Sequence, residues 1–479
     1  MQEEHIIPSP KSTINSYRSF GYNLQTAIAD IIDNSISAKA KNVYIDYLWK
    51  GKDSYITILD DGYGMNVDEL RLAMTPGSKD PEEERDADDL GRFGMGLKSA
   101  SFSQCKSLTV ITKRLGYNCI YRCWDIDYIN QKNQWLLLNK VSDESFINRV
   151  DEMTCGTMVL WEKLDRIVGD ASIDNEEVKS DFYKHMIDVK NHVSLVFHRF
   201  IESKKIVVYF KNEIIKPTNP FLFNLGPRML ANETIDNVEI QSFLMPHMSK
   251  LGKDYDTTGG AEGWFNDQGF YIYRGDRLLV WATWLGLNLK KKDHYKLARI
   301  SVSITNENDF EWSLDIKKSK ATPPLKLKKH LQRIAYYAAK ESAKIYLHRA
   351  GQTRHVDPTK KQPIWKEYKD DHDIMKYKIN RSHPAIQLLK DSSDSSLFNN
   401  VMKLLEDNVP IALIVKNQND DPSLHEREKS NNYPSEDIID MAKMTYSFLV
   451  ERGIPIEDAK DRVAYSEPFV NYSQIRGLL

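Results

Sequence analysis

The chain has 479 residues, of which 41% are hydrophobic and 28% charged, and its formal net charge is −2. This length exceeds what a single core normally holds, so two to four domains are expected. The balanced charge excludes a uniformly basic nucleic-acid-binding protein, and the sequence has no run of about 20 apolar residues that could cross a bilayer. The N-terminus lacks a basic start followed by an apolar run, and the four cysteines lack metal-ligand spacing. A cytoplasmic protein with reduced thiols is therefore expected.

The first segment of the chain comprises residues 20–110. A helix followed by two strands is predicted at its start. Apolar residues recur at helical spacing over 24–32, and two alternating strand patterns follow. On the helix, Asp30 and Asn34 are four residues apart and therefore share one face. A carboxylate at this position could orient and deprotonate a water molecule. The carboxamide oxygen of Asn34 could complete a magnesium shell that is shared with phosphates.

A glycine turn follows the second of these strands. Asp60, at the end of the strand, is suited to accept a hydrogen bond from an exocyclic amine such as that of adenine. Gly62 and Gly64, followed by Met65, would let a flat base lie against the backbone. Taken singly, these positions also fit a purely structural role, because aspartate and glycine are common turn formers.

The stretch 90–100, LGRFGMGLKSA, has the pattern of a phosphate-binding loop. Glycine lets the backbone approach a ligand closely, and the free N–H groups at a helix start attract an anion. The preceding stretch 74–89 carries seven acidic residues, and we interpret it as a lid that orders when nucleotide binds. The candidate residues of the lid and phosphate loop are Gly91, Gly94, Met95, Gly96, Leu97 and Lys98.

Four motifs in this order resemble the ATP-binding motifs of the gyrase, chaperone, histidine kinase and MutL (GHKL) superfamily. The motifs are DIIDN, DDGYGM, GRFGMG and CGTMVLW, the last of them at 155–161. The resemblance implies an α+β fold that begins with a GHKL (Bergerat) ATP-binding α/β sandwich, in which helices cover a mixed sheet. ATP and Mg²⁺ would bind on the helical side of this sheet.

The same resemblance implies roles for single residues. Asn34 corresponds to the magnesium ligand, Asp60 to the residue that reads adenine, and Thr157 to a sheet residue near adenine. Residues 91–98 correspond to the lid and the phosphate loop. Within the superfamily the sequence is most similar to the MORC ATPases and their bacterial relatives, which occur beside restriction–modification and anti-phage genes.

The catalytic position of the first motif departs from the family pattern. The residue four positions before the magnesium asparagine is usually glutamate, and in this chain it is Asp30. The shorter side chain retracts the carboxylate by about one methylene, and a misplacement of ~1 Å can cost on the order of a hundredfold in rate. Slow hydrolysis is therefore expected, with Asp30 acting through a repositioned water or with Asp33 assisting.

The second segment, residues 190–350, is rich in predicted strands and ends in a long helix. This order resembles the ribosomal-protein-like transducer domain of MutL and MORC, in which a lysine from a loop reaches the γ-phosphate. The loop DIKKSKATPP offers Lys317, Lys318 and Lys320 for this role. The position relative to the preceding strand favours Lys320, with Lys318 second. The structural alternative is a solvated loop.

We divide the chain into four parts on these patterns. The ATP-binding domain spans 1–188, the transducer domain 189–350 and a charged linker 351–380. Apolar residues recur at helical spacing over 381–479, and this range is expected to form a small helical module suited to docking or dimerisation.

Charge is uneven along the second segment. Residues 286–366 carry 19 Lys and Arg against 7 Asp and Glu, a surplus of 12 that could bind the phosphate backbone of DNA. A solvated, lysine-rich helix face is the structural alternative. The resemblance and this basic surplus together favour an ATP-gated homodimeric clamp on DNA. The resemblance further implies a bacterial restriction or anti-phage system, with a nuclease, methylase or helicase encoded nearby and no membrane partner. The alternative is a chaperone-like protein-remodelling ATPase, whereas a histidine kinase is disfavoured because no phospho-acceptor helix precedes the motifs.

Overall fold

The computed structural model describes residues 8–19, 21–77, 96–247, 251, 260–305, 308, 311–312, 321–350, 362–369, 375–409 and 434–479. The chain forms two compact units, Met1–Tyr346 and Leu347–Leu479. The predicted site residues Gly91, Gly94 and Met95, and the loop lysines Lys317, Lys318 and Lys320, lie outside the described residues.

Seven of the described strands form a mixed sheet in the order β4-β3-β5-β2-β1-β6-β7. The strands β1 and β6 pair in parallel, and the other neighbours pair antiparallel. The strands are β1 (Asn42–Leu48), β2 (Tyr55–Asp60), β3 (Ser107–Lys113), β4 (Ile120–Asp125), β5 (Gly156–Glu162), β6 (Val207–Phe210) and β7 (Glu213–Ile214).

Helices cover one face of this sheet and bury most of its apolar side chains. The helices up to residue 202 are α1 (Pro10–Arg18), α2 (Leu24–Ser37), α3 (Val67–Met74), α4 (Gly96–Phe102), α5 (Ile126–Lys132), α6 (Glu144–Asp151), α7 (Glu176–Val196) and α8 (His198–Glu202). Residues of α2, α4 and α7 share one buried cluster with the sheet, whereas Phe146 and Val150 of α6 pack on the opposite face. This arrangement confirms the predicted α+β sandwich.

The helix α2 lies at the centre of the covering layer. It begins at Leu24 because the Asn23 side chain accepts a hydrogen bond from the Thr26 backbone N–H, which satisfies a free donor of the first turn. Its apolar residues Ala27, Ile28 and Ile32 are fully buried. The packing of this face against the sheet holds the polar residues of α2 in fixed directions.

A second sheet follows, with described strands in the order β11-β10-β12-β9-β8. The strands are β8 (Arg228–Ile235), β9 (Val238–Leu244), β10 (Gly269–Arg274), β11 (Arg277–Thr283) and β12 (Ala298–Ile304). The helix α9 (Leu325–Ala350) packs Leu327, Leu331 and Ile334 against this sheet. Tyr273 and Leu278 of the second sheet belong to the same buried cluster as α2 and α7, so the two sheets share a core.

The second unit contains a hairpin and a group of helices. The hairpin pairs β13 (Trp365–Lys369) with β14 (Met375–Ile379), inside the range 351–380 that the sequence suggests as a linker. The helices are α10 (Pro384–Asp391), α11 (Ser395–Asp407), α12 (Glu436–Glu451), α13 (Ile456–Ala464) and α14 (Ile475–Leu478). None of the helices in the described part of the chain has the length and apolar character needed to cross a membrane.

Candidate nucleotide site

The first group of candidate residues lies on α2. Asp30 is only 6% exposed, and its Oδ2 accepts a hydrogen bond of 2.9 Å from the Tyr22 hydroxyl. Asn34 is one turn further along the helix and is exposed. The two side chains thus combine a buried carboxylate, oriented by a tyrosine, with an accessible carboxamide. The sequence did not predict Tyr22 as a site residue.

Asp33 lies between these two residues in the sequence but has a different partner. It is 2% exposed, and its Oδ1 accepts a hydrogen bond of 2.9 Å from Nε of Arg277 on β11. A carboxylate that is paired with a guanidinium is a weak proton acceptor, because protonation would break the pair. The geometry therefore favours Asp30 over Asp33 as the group that accepts a proton.

Next to this pair, His192 of α7 packs its ring 5.6 Å from that of Trp281. Burial and the positive charge of Arg277 lower the pKa of His192 to about 3, although Asp33 opposes this shift. The imidazole is therefore neutral at physiological pH. Arg277 supplies the positive charge that faces Asp33.

The second group lies at the end of β2. Asp60 is 6% exposed, and its carboxylate accepts hydrogen bonds from the Ser35 hydroxyl at 2.8 Å and from the Gly62 backbone N–H at 2.9 Å. Burial raises the pKa of Asp60 to about 6, and these hydrogen bonds offset part of the effect. Asp60 is thus a largely ionised, desolvated acceptor at neutral pH, which suits recognition of an amine donor.

The glycine turn after Asp60 requires its glycines. Gly64 has a φ of +67°, and a Cβ at this position would lie 2.0 Å from the Lys113 carbonyl oxygen. A Cβ on Gly62 would lie 2.9 Å from Oδ1 of Asp60. Any side chain at these two positions would therefore displace the backbone of β3 or the carboxylate itself.

Three residues are cross-strand neighbours on adjacent strands at this end of the sheet. Thr157 on β5 is paired with Asp60 on β2 and with Thr112 on β3. The hydroxyls of Thr112 and Thr157 are 2.9 Å apart, and Thr112 Oγ1 accepts a hydrogen bond of 3.0 Å from the Met65 backbone N–H. Asp60, Met65 and Thr157 are thereby brought together. The sequence did not identify Thr112.

The third group begins at α4. A Cβ on Gly96 would lie 3.8 Å from Oδ2 of Asp30, so the first residue of α4 faces the carboxylate of α2. Leu97 packs against the main core. Lys98 is 3% exposed, and its Nζ donates a hydrogen bond of 2.8 Å to the Ala73 carbonyl near the end of α3. Gly96 thus lies beside the α2 group, and Lys98 ties α4 to α3.

The oxygen donors of this region fit magnesium and a nucleotide. The carboxamide oxygen of Asn34 is a hard oxygen ligand of the type that magnesium accepts, and the Asp30 carboxylate lies one turn before it on α2. The absence of a side chain at Gly96 leaves space beside Asp30. The Asp60 carboxylate is a hydrogen-bond acceptor beside Gly62, whose missing side chain leaves room for that carboxylate.

An α/β sandwich with these groups around α2 defines an ATP-binding domain. Residues 22–157 match the family described as "Histidine kinase-, DNA gyrase B-, and HSP90-like ATPase". This range includes every described site residue from Tyr22 to Thr157. The chain therefore carries an ATPase domain of the GHKL superfamily, as the four motifs predict.

The chain is also similar to a MORC protein. The chain is 34% identical over 91 residues to the ATPase morc-1 of Caenorhabditis elegans. The matched region is 19% of this chain and 10% of that protein, so the chain matches about a tenth of the length of its curated relative. The predicted similarity to the MORC ATPases is confirmed over these 91 residues.

Proposed function

We propose that the chain binds ATP with magnesium, hydrolyses it slowly, and uses the cycle to open and close a homodimeric clamp on DNA. The proposed binding and hydrolysis of ATP are supported mainly by the arrangement of α2. This helix carries Asp30 and Asn34, and its Ser35 side chain is hydrogen-bonded to Asp60. One helix thus links the proposed catalytic, metal and adenine positions. When bound, magnesium would neutralise phosphate charge and orient the phosphates.

The chain's own residues have the following proposed roles. Asp30 accepts a proton from the attacking water, and the hydrogen bond from Tyr22 fixes which carboxylate oxygen points into the site. Asn34 and the residues 91–98 hold the metal and the phosphates. Asp60 and Thr157 bind adenine through the sheet end. Lys320, or else Lys318 or Lys317, stabilises the charge on the γ-phosphate.

DNA binding is supported by the exposed face of α9. Lys329 and Lys340 are exposed, and no described acidic side chain pairs with either of them. Tyr336 and Tyr337 on the same helix are about half exposed. Arg333 of the same helix is occupied, since it pairs with Glu233. The proposed contact therefore rests on fewer cations than the sequence surplus suggests, and its salt dependence should be moderate.

The wider role belongs to the same proposal. A cytoplasmic place in restriction or anti-phage defence, beside a nuclease, methylase or helicase, follows from the resemblance to bacterial MORC relatives. One observation favours the chaperone-like alternative. The helices α11 and α12 of the second unit expose Leu397, Leu404 and Met444, which suit contact with apolar segments of another protein.

Size-exclusion chromatography with a non-hydrolysable ATP analogue and a labelled DNA duplex tests the clamp. We expect the analogue with magnesium to convert monomer to dimer and to retain circular DNA against a salt wash that releases linear DNA. Lys329→Glu with Lys340→Glu should weaken DNA retention and leave the dimer unchanged. A matched double reversal on α7, Lys179→Glu with Lys184→Glu, should retain DNA normally.

Two results would contradict the clamp. The first is a protein that stays monomeric with saturating analogue. The second is equal loss of circular and linear DNA at every salt concentration, which would indicate simple electrostatic adsorption. Analogue-dependent binding of an unfolded client protein, with no DNA retention, would favour the chaperone-like alternative.

A further inference from the structure

We propose that Arg277 of the second sheet is a positioning residue for ATP hydrolysis. Through its ion pair with Asp33, Arg277 sets the rotation of α2 about its axis and hence the directions of Asp30 and Asn34. This inference rests on the proposed hydrolysis, and it assigns to the second sheet a role in the chemistry that does not depend on a lysine reaching the nucleotide.

The pair joins two different layers of the unit. Nε of Arg277, on β11, donates a hydrogen bond of 2.9 Å to Oδ1 of Asp33, on α2. The two side chains are 6% and 2% exposed, so water does not screen the interaction. Asp33 is directly followed by Asn34 and lies less than one turn after Asp30.

Arg277 is itself fixed by further contacts. Its Nη1 donates a hydrogen bond of 2.6 Å to the Leu278 carbonyl oxygen. Its guanidinium lies 4.4 Å from the ring centroid of Phe197, the residue that follows α7. A planar group held by a hydrogen bond, a ring and a carboxylate has a defined orientation, which a lysine could not reproduce. The ion pair therefore fixes the orientation of the Asp33 side chain in addition to neutralising its charge.

Helix geometry shows why such a direction matters. Side-chain tips lie about 5–6 Å from a helix axis, so a rotation of about 10° moves a tip by about 1 Å. A displacement of this size can cost on the order of a hundredfold in a catalysed step. The side chain of Asp30 is one methylene shorter than that of the usual glutamate, so its carboxylate tolerates less displacement. A restraint on the rotation of α2 is thus more important in this chain than it would be with a longer side chain.

The same pair also connects the second sheet to the site. The sheet bearing Arg277 shares a core with α2 and α7. A shift of β11 along its own axis would pull on Asp33 and rotate α2, so rearrangement of the second sheet would change the alignment of Asp30. The coupling is reciprocal, since nucleotide that holds α2 in one orientation would favour one position of β11.

Substitutions at Arg277 separate positioning from simple stabilisation. Arg277→Met keeps the volume and removes the charge, whereas Arg277→Lys keeps the charge and removes the planar fork. We expect Arg277→Met to lower kcat by about 10-fold to 100-fold with less than about a threefold change in KM. It should also raise the magnesium concentration for half-maximal analogue binding severalfold, because Asn34 turns with the helix. Arg277→Lys should restore only part of both losses.

Arg199→Met is the matched control. Arg199 also joins the first layer to the second sheet, with hydrogen bonds to Ser301 and Ser303 and a stack on Tyr273, and none of these three contacts involves α2. Its loss should lower the melting temperature and leave kcat and magnesium dependence unchanged. Asp33→Asn should reproduce Arg277→Met, and the double variant should be no worse than either single variant.

Each outcome decides the inference. A folded Arg277→Met with kcat within about threefold of wild type overturns it, and so does an equal loss of kcat in Arg199→Met at an equal melting temperature. If Arg277→Met does not fold, Arg277→Lys decides by the same two measurements. If the wild-type chain hydrolyses no ATP, the proposed hydrolysis fails on its own, and an unchanged magnesium dependence of analogue binding in Arg277→Lys then overturns the positioning role separately.

Discussion

Ser35 and Asp60 are 25 residues apart in the chain, and the Ser35 hydroxyl donates a hydrogen bond of 2.8 Å to the Asp60 carboxylate. This bond ties the last turns of α2 to the end of β2. Because Asp30 and Asn34 lie on the same helix, the proposed adenine, metal and catalytic positions form one mechanical unit. A nucleotide that contacts Asp60 would therefore restrain the helix that carries the proposed base.

Asp60→Asn should weaken the binding of ATP more than the binding of inorganic tripolyphosphate. The carboxylate of Asp60 is a stronger acceptor for the adenine amine than the carboxamide that replaces it. Hydrogen bonds to charged groups contribute about 1.5–3 kcal/mol. We expect ATP affinity to fall about 10-fold or more in calorimetric titrations, with tripolyphosphate affinity within about twofold. Ser35→Ala is the control, and it should have a smaller effect of the same kind. Equal losses for both ligands would show that Asp60 does not contact the base.

The stability of the ligand-free protein should depend on pH through Asp60. Burial raises the pKa of this group from 3.8 to about 6 in the folded state. The folded state therefore binds more protons than the unfolded state between these values, and the free energy of unfolding falls as pH rises from about 4 to about 6. A shift of this size corresponds to about 3 kcal/mol.

Asp60→Asn removes this titration. Urea unfolding should show that the variant gains stability relative to wild type as pH rises through this window, with a constant difference above about pH 6.5. The same difference at pH 4.5 and pH 7 would contradict the raised pKa of Asp60. A gain in stability with a loss of ATP affinity would show that Asp60 is retained for binding rather than for folding.

Asp30→Asn should stop ATP turnover and leave nucleotide binding intact. The amide cannot accept a proton from water, but it occupies the same volume beside Tyr22 and Gly96. We expect kcat to fall at least 100-fold with analogue affinity within about threefold. Tyr22→Phe removes only the orienting hydrogen bond and should lower kcat by a smaller factor, about 3-fold to 10-fold. Retained hydrolysis in Asp30→Asn would transfer the role of base to another group.

Asn34→Ala should abolish the effect of magnesium on nucleotide binding. Asn34 is exposed on α2, so its truncation should cost little stability. Calorimetry with and without magnesium should give the same weak affinity for ATP, because the metal loses its protein ligand. Asn34→Asp keeps an oxygen donor and should restore part of the magnesium dependence. An unchanged response to magnesium in Asn34→Ala would exclude this residue as the ligand.

The contiguous parts of the site could be predicted from the sequence, and the parts made by packing could not. Asp30, Asn34 and Asp60 belong to motifs of a few residues, in which helical spacing or a strand end already fixes their relation. Thr112 joins the site only because β3 pairs with β5 in a register that puts Thr112 opposite Thr157. No short-range pattern encodes that register.

Arg277 shows the same limit at greater distance. It is 244 residues from Asp33 and meets it because the second sheet packs against α2 and α7. In the sequence, Arg277 lies in a turn-like RGDR stretch that predicts a hairpin, and β10 and β11 confirm that hairpin. The partner of a buried charge depends on how whole layers pack, which local composition does not determine.

Lys320→Ala should slow hydrolysis with little loss of ATP affinity. A cation that meets the γ-phosphate mainly in the transition state lowers the barrier without strengthening ground-state binding. We expect a loss of about 10-fold to 1,000-fold in kcat, within the range found when single stabilising groups are removed. Lys318→Ala, two residues away in the same loop, is the matched control and should stay near wild type. If Lys318→Ala loses turnover and Lys320→Ala does not, the charge that meets the phosphate comes from Lys318, and the loop enters the site in a different register.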